Sequence, residues 1–502
     1  MRKYILILFL MLSWLSVKAQ LLAPLSEDMN RFTERQMSFS DRSFFTIWKP
    51  NYDGQTLGAA RQDSLALFGS EQPRRTWLGR KLFQESFLQI DSPDFYLYAD
   101  PLMDFEKGKE SPGKEAYVNT RGFRAGVRIG RKFAIGTTFY ENQASFTRAL
   151  NDYVDSFRIV PGQGRVHNQT TYDWDYAHSS GYLSFSPVDW LNLQLGQGKN
   201  FLGDGYRSLL LSDFSYSYPY LRVTWQTKRL MYSWMLAQTD IYKTNASDRF
   251  VFRYNVLGIH LLSVNVTDWI QLSAIQQSLF YHPDTLTRFK LTSDMLNPVM
   301  MPLFSKSNVH SMWGANVKIW LAPGLFVYNQ WMFDNLGGIG TVRKGVQAGF
   351  KYFGCGALNG LFAQGEFNRV EAGVYTNSEK GMDWRHYNQP MAHPYGNHFE
   401  EYLANISWQL KRWQLSGRCV YAQPLADVAD AQAFRTSGIS YWEHRYLLTR
   451  NVQITYYLNT KTLMRFTAGY TLRDEKKNEV KTSTVYIYVA FRTGLQRREF
   501  DL

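Results

Sequence analysis

From about residue 92 onward, apolar and polar side chains alternate with a period of two. Phe123, Ala125, Val127 and Ile129 interleave with Arg124, Gly126, Arg128 and Gly130. Leu191, Leu193 and Leu195 interleave with Asn192, Gln194 and Gly196, and Leu221, Val223 and Trp225 with Arg222, Thr224 and Gln226. The same pattern recurs from Val346 to Tyr352, from Tyr402 to Leu410 and from Phe466 to Leu472. Successive side chains on a strand point to opposite faces, so each segment predicts a strand with one apolar and one polar face. A soluble sandwich alternates too, but three features point elsewhere. The segments run to about ten residues or more, where a soluble strand averages about five or six. Their polar face carries Arg, Lys and Gly, as a wetted lumen would. Aromatics gather near segment ends, at Trp190, Tyr218, Tyr220, Trp269, Trp313, Trp320 and Trp413, where amphipathic rings meet lipid headgroups.

Turn residues complete the layout. Tight turns at 187–189, 227–228, 322–324 and 411–412 alternate with longer polar inserts at 143–174, 282–308 and 376–399. Short turns at one end and long loops at the other are the arrangement of an outer-membrane barrel. A sheet in lipid leaves no edge unpaired, so it closes. The predicted fold is therefore an all-β transmembrane barrel in the bacterial outer membrane. Segment counting over 92–493 gives sixteen to eighteen antiparallel strands, and we take eighteen.

Residues 1–19 read as a secretory signal, with Arg2 and Lys3 before an apolar run from Ile5 to Val17 and a small-x-small site at Val17-Lys18-Ala19. The mature chain then starts at Gln20. No Cys follows the site, which argues against a lipoprotein. Residues 20–91 mix short apolar stretches with charge and predict one or two short helices in a periplasmic or plug segment. The barrel is assigned to 92–495 and a short tail to 496–502.

Composition narrows the choice further. The 502 residues include 15 Trp, 32 Tyr, 34 Phe and 36 Gly, which excludes a disordered chain. Only Cys355 and Cys419 are present, so no disulfide framework is possible. The mean hydropathy of −0.35 and the lack of apolar runs of about twenty residues exclude a helical membrane protein. We read the aromatics as largely girdle and lipid-face residues. The formal net charge is +13, and removing Arg2, Lys3 and Lys18 with the signal leaves the chain basic.

Candidate chemistry is sparse. Gly196 to Gly205 resembles a phosphate loop, but Lys199 is followed by Asn200 and no helix is expected after it. It reads as a strand end entering a tight, glycine-permitted turn. Asp204 and Asp213 are candidates for paired carboxylates in glycoside cleavage, against the simpler reading that Arg207 neutralises them in a polar lumen. His386, His393 and His398 lie near Asp383, Glu400 and Glu401 without zinc-motif spacing, and read as a polar loop. Cys419 sits on an apolar strand face as a small hydrophobe. No catalytic residue, metal or cofactor is assigned.

The polar strand faces hold an excess of base, including Arg124, Arg128, Arg222, Lys351, Arg418 and Arg465. Two readings stand side by side. A positive lumen attracts anionic solutes or acidic polysaccharide, with Lys199, Asp204 and Arg207 as further candidate ligand-binding residues. Alternatively, Glu27, Asp28, Glu34 and Asp41 of the 20–90 segment plug the lumen and pair with these bases.

Two stretches carry a family resemblance. Gly196-Gln-Gly-Lys-Asn-Phe-Leu-Gly-Asp-Gly-Tyr-Arg-Ser-Leu-Leu-Leu-Ser212 with Tyr218-Pro-Tyr-Leu221 is one, and His386-Tyr-Asn-Gln-Pro-Met-Ala-His-Pro-Tyr-Gly396 the other. They resemble the Wzi-type capsule-assembly outer-membrane proteins, closer to the RemB-type gliding-motility branch. Capsule members usually carry Trp-Gly-Pro-Gly where this chain has Leu202-Gly-Asp-Gly205, which weakens the transfer of capsule binding. The resemblance implies an 18-stranded barrel with periplasmic helices, surface polysaccharide binding or gliding, and no enzymatic step. The expected partners are outer-membrane lipid, acidic surface polysaccharide and other envelope or motility proteins, with no nucleic acid. The alternative function is a pore or transporter for anionic solutes.

Overall fold

The computed structural model describes residues 21–22, 25–39, 45–50, 67–68, 74–130, 132–168, 173–244, 250–281, 309–334, 342–377, 382–425, 444–477 and 480–494. Eighteen antiparallel strands form a closed barrel, as the alternation predicts. They are β1 (Phe95–Glu110), β2 (Lys114–Ile129), β3 (Phe133–Ser145), β4 (Trp174–Val188), β5 (Leu191–Gly198) and β6 (Tyr218–Gln226). Next come β7 (Leu230–Thr244), β8 (Phe250–Asn265), β9 (Ile270–Tyr281), β10 (Val309–Ala322), β11 (Leu325–Asp334) and β12 (Arg343–Phe353). The last six are β13 (Leu361–Val370), β14 (Phe399–Leu410), β15 (Trp413–Pro424), β16 (His444–Asn459), β17 (Met464–Lys477) and β18 (Val480–Arg492). Strand β18 closes on β1, from Arg492 opposite Asp104 to Tyr486 opposite Glu110.

The faces sort as the period-two pattern requires. Leu97, Val127, Ile135, Leu183, Leu195 and Leu221 stand opposite one another across six successive strands and form one row on the outside. Leu195 is 60% exposed, and Ile406, Val452, Ile487 and Val489 are as open. A belt of this kind is stable only in lipid. No helix among the described residues is long and apolar enough to cross a membrane; the strands do the crossing.

Trp190, Trp269 and Trp413 point outward at the short-turn end. Tyr218, Tyr220 and Trp320 instead point inward and are buried, which corrects their place in the girdle. Their position in the alternation explains it: the tyrosines share the parity of Arg222, and Trp320 that of Lys318. Many tyrosines also face the lumen opposite a glycine. The rings of Tyr182 and Tyr488 occupy the space a Cβ would need on Gly136 and Gly469, their cross-strand partners. The joint excess of Tyr and Gly is thus partly an interior feature, because a broad ring lies flat on a neighbouring strand only where that strand has no side chain.

The connections at 130–132, 189–190, 227–229, 266–269, 323–324, 354–360, 411–412 and 460–463 make one short-turn end. The opposite end carries the long connections 146–173, 199–217 and 371–398, of which 169–172 and 378–381 lie outside the described residues. The insert at 282–308, Asp41, the signal at 1–19 and the tail at 496–502 lie outside the described residues. Three helices accompany the barrel among the described residues: α1 (Glu27–Phe39), α2 (Trp77–Phe83) and α3 (Arg148–Phe157).

Candidate functional site in the barrel lumen

Helix α1 starts where Ser26 Oγ accepts the backbone N–H of Met29 at 3.2 Å, leaving Glu27 and Asp28 in the first turn, where the helix dipole favours acids. The helix lies across the short-turn end. Arg35 donates to the Gly354 carbonyl at 2.9 Å, and Gly324 N–H to the Ser38 carbonyl at 3.4 Å. Its acids meet the barrel bases. Glu27 pairs with Arg418 at 2.5 Å, Asp28 with Arg465 at 2.7 Å, and Glu34 with Lys351 at 2.6 Å and Lys49 at 3.0 Å. Burial of Glu34 disfavours its charge, but Lys351 and Lys49 outweigh that and hold the carboxyl below its usual range.

The second insertion is 199–217, which enters from the long-loop end. The structure corrects its reading as a tight turn. Gly203 does take a left-handed φ of 137°, which suits glycine. Yet the whole stretch folds inward, and Leu209, Leu210 and Leu211 are fully buried. Ser208 Oγ ties it by donating to the Leu202 carbonyl and accepting from the N–H groups of Leu210 and Leu211. Asp204 does not pair with Arg207. It accepts from Lys318 at 2.9 Å, Thr46 at 2.7 Å and Asn316 at 3.0 Å. Burial opposes its charge, and Lys318 and Lys49 overcome that, holding the carboxyl far below the usual range. Arg207 pairs with Glu401 at 3.3 Å. Glu366 accepts the N–H groups of Tyr206 at 2.6 Å and Arg207 at 3.0 Å. The short strand Phe201–Leu202 pairs with Trp48–Lys49, so the two insertions meet inside the barrel.

The third insertion, 371–398, also folds inward. Trp384 Nε1 donates to the Leu210 carbonyl at 3.2 Å. His386 accepts the Asp240 N–H at 2.9 Å, and His393 contacts Glu401 at 2.9 Å. Burial pushes His386 down to about 4 and His393 below its usual value. Among the described residues no group of His, Cys, Asp and Glu is arranged to hold a metal. The expectation of a polar loop is corrected: this segment is largely interior.

The candidate ligand residues fall into three places. Lys351, Arg418 and Arg465 line α1. Lys199, Asp204, Arg207 and Arg222 belong to the 199–217 insertion or its wall. Lys199 donates to the carbonyls of Gly162 and Asp213, and Arg222 to Asn200 at 3.2 Å with its guanidinium over Trp48. Arg124 and Arg128 lie apart, one donating to the Gly494 carbonyl at 3.0 Å and the other over the Tyr96 ring. Glu401, grouped in the sequence with the histidines, is found paired with Arg207 as well as His393. The inner-face acid Glu366 and the base Lys318 are not among the sequence candidates. Their signal was present: Gln364, Glu366 and Asn368 share one parity, as do Asn316 and Lys318.

Beside these insertions a cavity of about 350 Å³ remains between α1, α3 and the walls of β1, β2 and β14–β18. Five carboxylates (Glu27, Asp28, Asp104, Glu106, Glu110) and five guanidiniums (Arg31, Arg418, Arg465, Arg473, Arg492) line it. The positive potential expected from the inner-face bases is cancelled there. Arg492 pairs with Asp104 at 3.1 Å and with Glu106, and Arg473 with Glu475 at 2.8 Å. Asn451, Gln453 and Thr471 add amides and a hydroxyl. Tyr486 and Tyr488 stack with centroids 5.2 Å apart, and Tyr486 donates to Glu106 at 2.8 Å.

No family model matches the chain, and no curated protein matches it in sequence. Among solved structures it is similar to Wzi, an outer-membrane protein involved in group 1 capsule assembly in Escherichia coli and described as a carbohydrate-binding β-barrel. The identity is 11% and the TM-score 0.55, over 93% of this chain and 98% of that one. OpdK of Pseudomonas aeruginosa, solved with vanillate, matches at 9% identity and a TM-score of 0.46 over 79% and 98% of the two chains. OccK3 of the same organism matches at 10% and 0.44 over 79% and 94%. The chain is a bacterial outer-membrane barrel. The comparisons give no support to a gliding-type branch.

Proposed function

We propose that the protein is a non-enzymatic barrel that holds surface polysaccharide at the outer membrane. The observation that carries this reading is the cavity beside α1. Its size falls in the ordinary range for ligand sites, about 300–1,000 Å³. It offers paired charges, amides, hydroxyls and two tyrosines, the groups that hydrogen-bond sugar hydroxyls and stack on sugar rings. Balanced charge favours a hydroxyl-rich glycan over a strongly acidic one, because no net field concentrates anions there. The likeness of the fold to a carbohydrate-binding barrel supports the same reading.

Two observations speak against the rivals. A glycosidase acid needs a raised carboxyl, and Asp204 is held low by Lys318 and Lys49. An anion pore needs unneutralised base along its path, whereas the bases along α1 are paired with its acids. The test is binding of dextran and polygalacturonate, as neutral and acidic probes, to the purified barrel, with Tyr486→Ala as the control. Dextran binding weakened by that substitution supports the site. Binding of polygalacturonate alone, or a steady open conductance in planar bilayers, refutes it. Deletion in the source organism, scored for polysaccharide retention and for spreading, separates a capsule role from a motility role.

A further inference from the structure

Helix α2 is built against the logic of a soluble helix. Thr76 caps it by accepting the Gly79 N–H at 3.2 Å, and it carries Trp77, Leu78, Leu82 and Phe83. None of its residues is buried. The segment after it continues the pattern: Phe87, Leu88 and Ile90, with Trp77, Leu78 and Leu82, are between 41% and 59% exposed. A seven-residue helix with its apolar side chains in water has nothing to hold it. Yet its place is fixed. Asn459 Nδ2 donates to the carbonyls of Lys81 at 3.1 Å and Glu85 at 2.9 Å, at the β16–β17 turn. Phe87 N–H donates to Asp100 at 2.8 Å.

This rim joins the lipid-facing belt directly. The short strand Leu88–Ser92 pairs with β1, with Leu88 opposite Ala99 and Ile90 opposite Leu97. Strand β18 ends at Arg492 opposite Asp104, so the short strand extends the wall where β18 stops. Ile90 thereby stands at the head of the outward row Leu97, Val127, Ile135, Leu183, Leu195 and Leu221. The short-turn end of such a barrel faces the periplasm. Beside the apolar set lie Arg74 and Arg75, both exposed, with Arg74 folded over the Phe83 ring at 4.3 Å. Apolar side chains on one side and arginines beside them are the composition of a helix lying in a membrane interface.

We propose that α2 and Phe87–Ile90 form an interfacial anchor in the periplasmic leaflet, with the apolar side chains among acyl chains and Arg74 and Arg75 at the headgroups of anionic phospholipid. The anchor holds the N-terminal segment against the barrel mouth and is independent of what the lumen binds.

The test uses the full chain with Cys355→Ser and Cys419→Ser, reconstituted into phosphatidylethanolamine–phosphatidylglycerol vesicles. A fluorophore is attached at Trp77→Cys, at Leu82→Cys, or at Ile406→Cys as the reference on the lipid belt. Lipids brominated on their acyl chains should quench the probes at 77 and 82 to within about a factor of two of the probe at 406, while aqueous iodide quenches all three weakly. Quenching by iodide but not by brominated lipid overturns the proposal, because the rim is then in water. Quenching by neither also overturns it, because another part of the protein then covers the rim. Brominated phosphatidylglycerol should quench more than brominated phosphatidylcholine, and Arg74→Gln with Arg75→Gln should remove the difference. Equal quenching by the two lipids in the parent overturns the headgroup contact.

Discussion

Glu34 is the point at which removal of a single side chain should free the N-terminal segment from the lumen. Its two oxygens neutralise Lys49 at 3.0 Å and Lys351 at 2.6 Å, and the three side chains are at most 7% exposed. In Glu34→Ala both ammonium groups remain buried. Lys49 keeps the uncharged Gly203 carbonyl at 3.0 Å and the more distant field of Asp204, a carboxylate that Lys318 already neutralises. Removing one member of a buried pair costs about 3–5 kcal/mol. At about 1.4 kcal/mol per tenfold, the undocked population rises by a factor of about 10² to about 4 × 10³. Glu27→Ala is the matched control. Its partner Arg418 is a base on the barrel wall, as Lys351 is, but the pair is 26% and 39% exposed, so the loss should be about 1 kcal/mol or less. The assay is the rate at which a protease cuts within α1. When reclosing outruns cutting, that rate follows the undocked population even while it is small. Single-channel conductance in planar bilayers gives an independent readout, since an undocked α1 opens the short-turn mouth. Equal cutting rates for Glu34→Ala, Glu27→Ala and the parent would refute the reasoning.

Three further outcomes follow from the same contacts. His386 and His393 are held neutral by burial, so the undocked 371–398 segment binds protons that the docked one does not. Docking should weaken as pH falls through about 6.5 and level off near 4, losing up to about 3 kcal/mol through His386; proteolysis of the segment against pH checks this, and a flat profile contradicts it. Arg207→Ala should lower the temperature at which the folded barrel converts to the unfolded band on detergent gels, and less so at about pH 5 than at about pH 7.5. The reason is that His393, beside Glu401, can take a proton once the neighbouring guanidinium is gone. Leu195→Arg on the lipid face should destabilise the inserted barrel by about 2–4 kcal/mol if that row crosses mid-bilayer, measured by reversible folding into vesicles, whereas Gln194→Arg would point into the lumen.

The fold was legible because its signal is local. Two residues of alternation fix the face of a third, and the outward row from Leu97 to Leu221 is readable strand by strand. The same alternation placed Arg222, Lys351, Arg418 and Arg465 on the inner face. Their partners were not legible, because a pair such as Arg465 with Asp28 spans more than four hundred residues and depends on the position of α1. The bases stand out in the alternation without the acids of equal parity, Glu366, Asp104 and Glu106, so the lumen reads as more positive from the sequence than its cavity is. Glycine density at 196–205 is a turn signal at the level of sequence. The run Leu209-Leu210-Leu211, three apolar residues in a supposed surface connection, was the cue that this segment is interior.

The pairing of Trp48–Lys49 with Phe201–Leu202 has a mechanical consequence. One strand of that small sheet belongs to the segment that covers the short-turn mouth, and the other to a connection from the opposite end. Ile47 and Gly203 add a further backbone bond at 2.7 Å, and Thr46 meets Asp204 beside them. These bonds make a strut through the middle of the barrel, separate from its wall. A tension applied to the outer connections, as by a polymer tethered there, would reach the periplasmic side along this strut without any strand of the wall changing register.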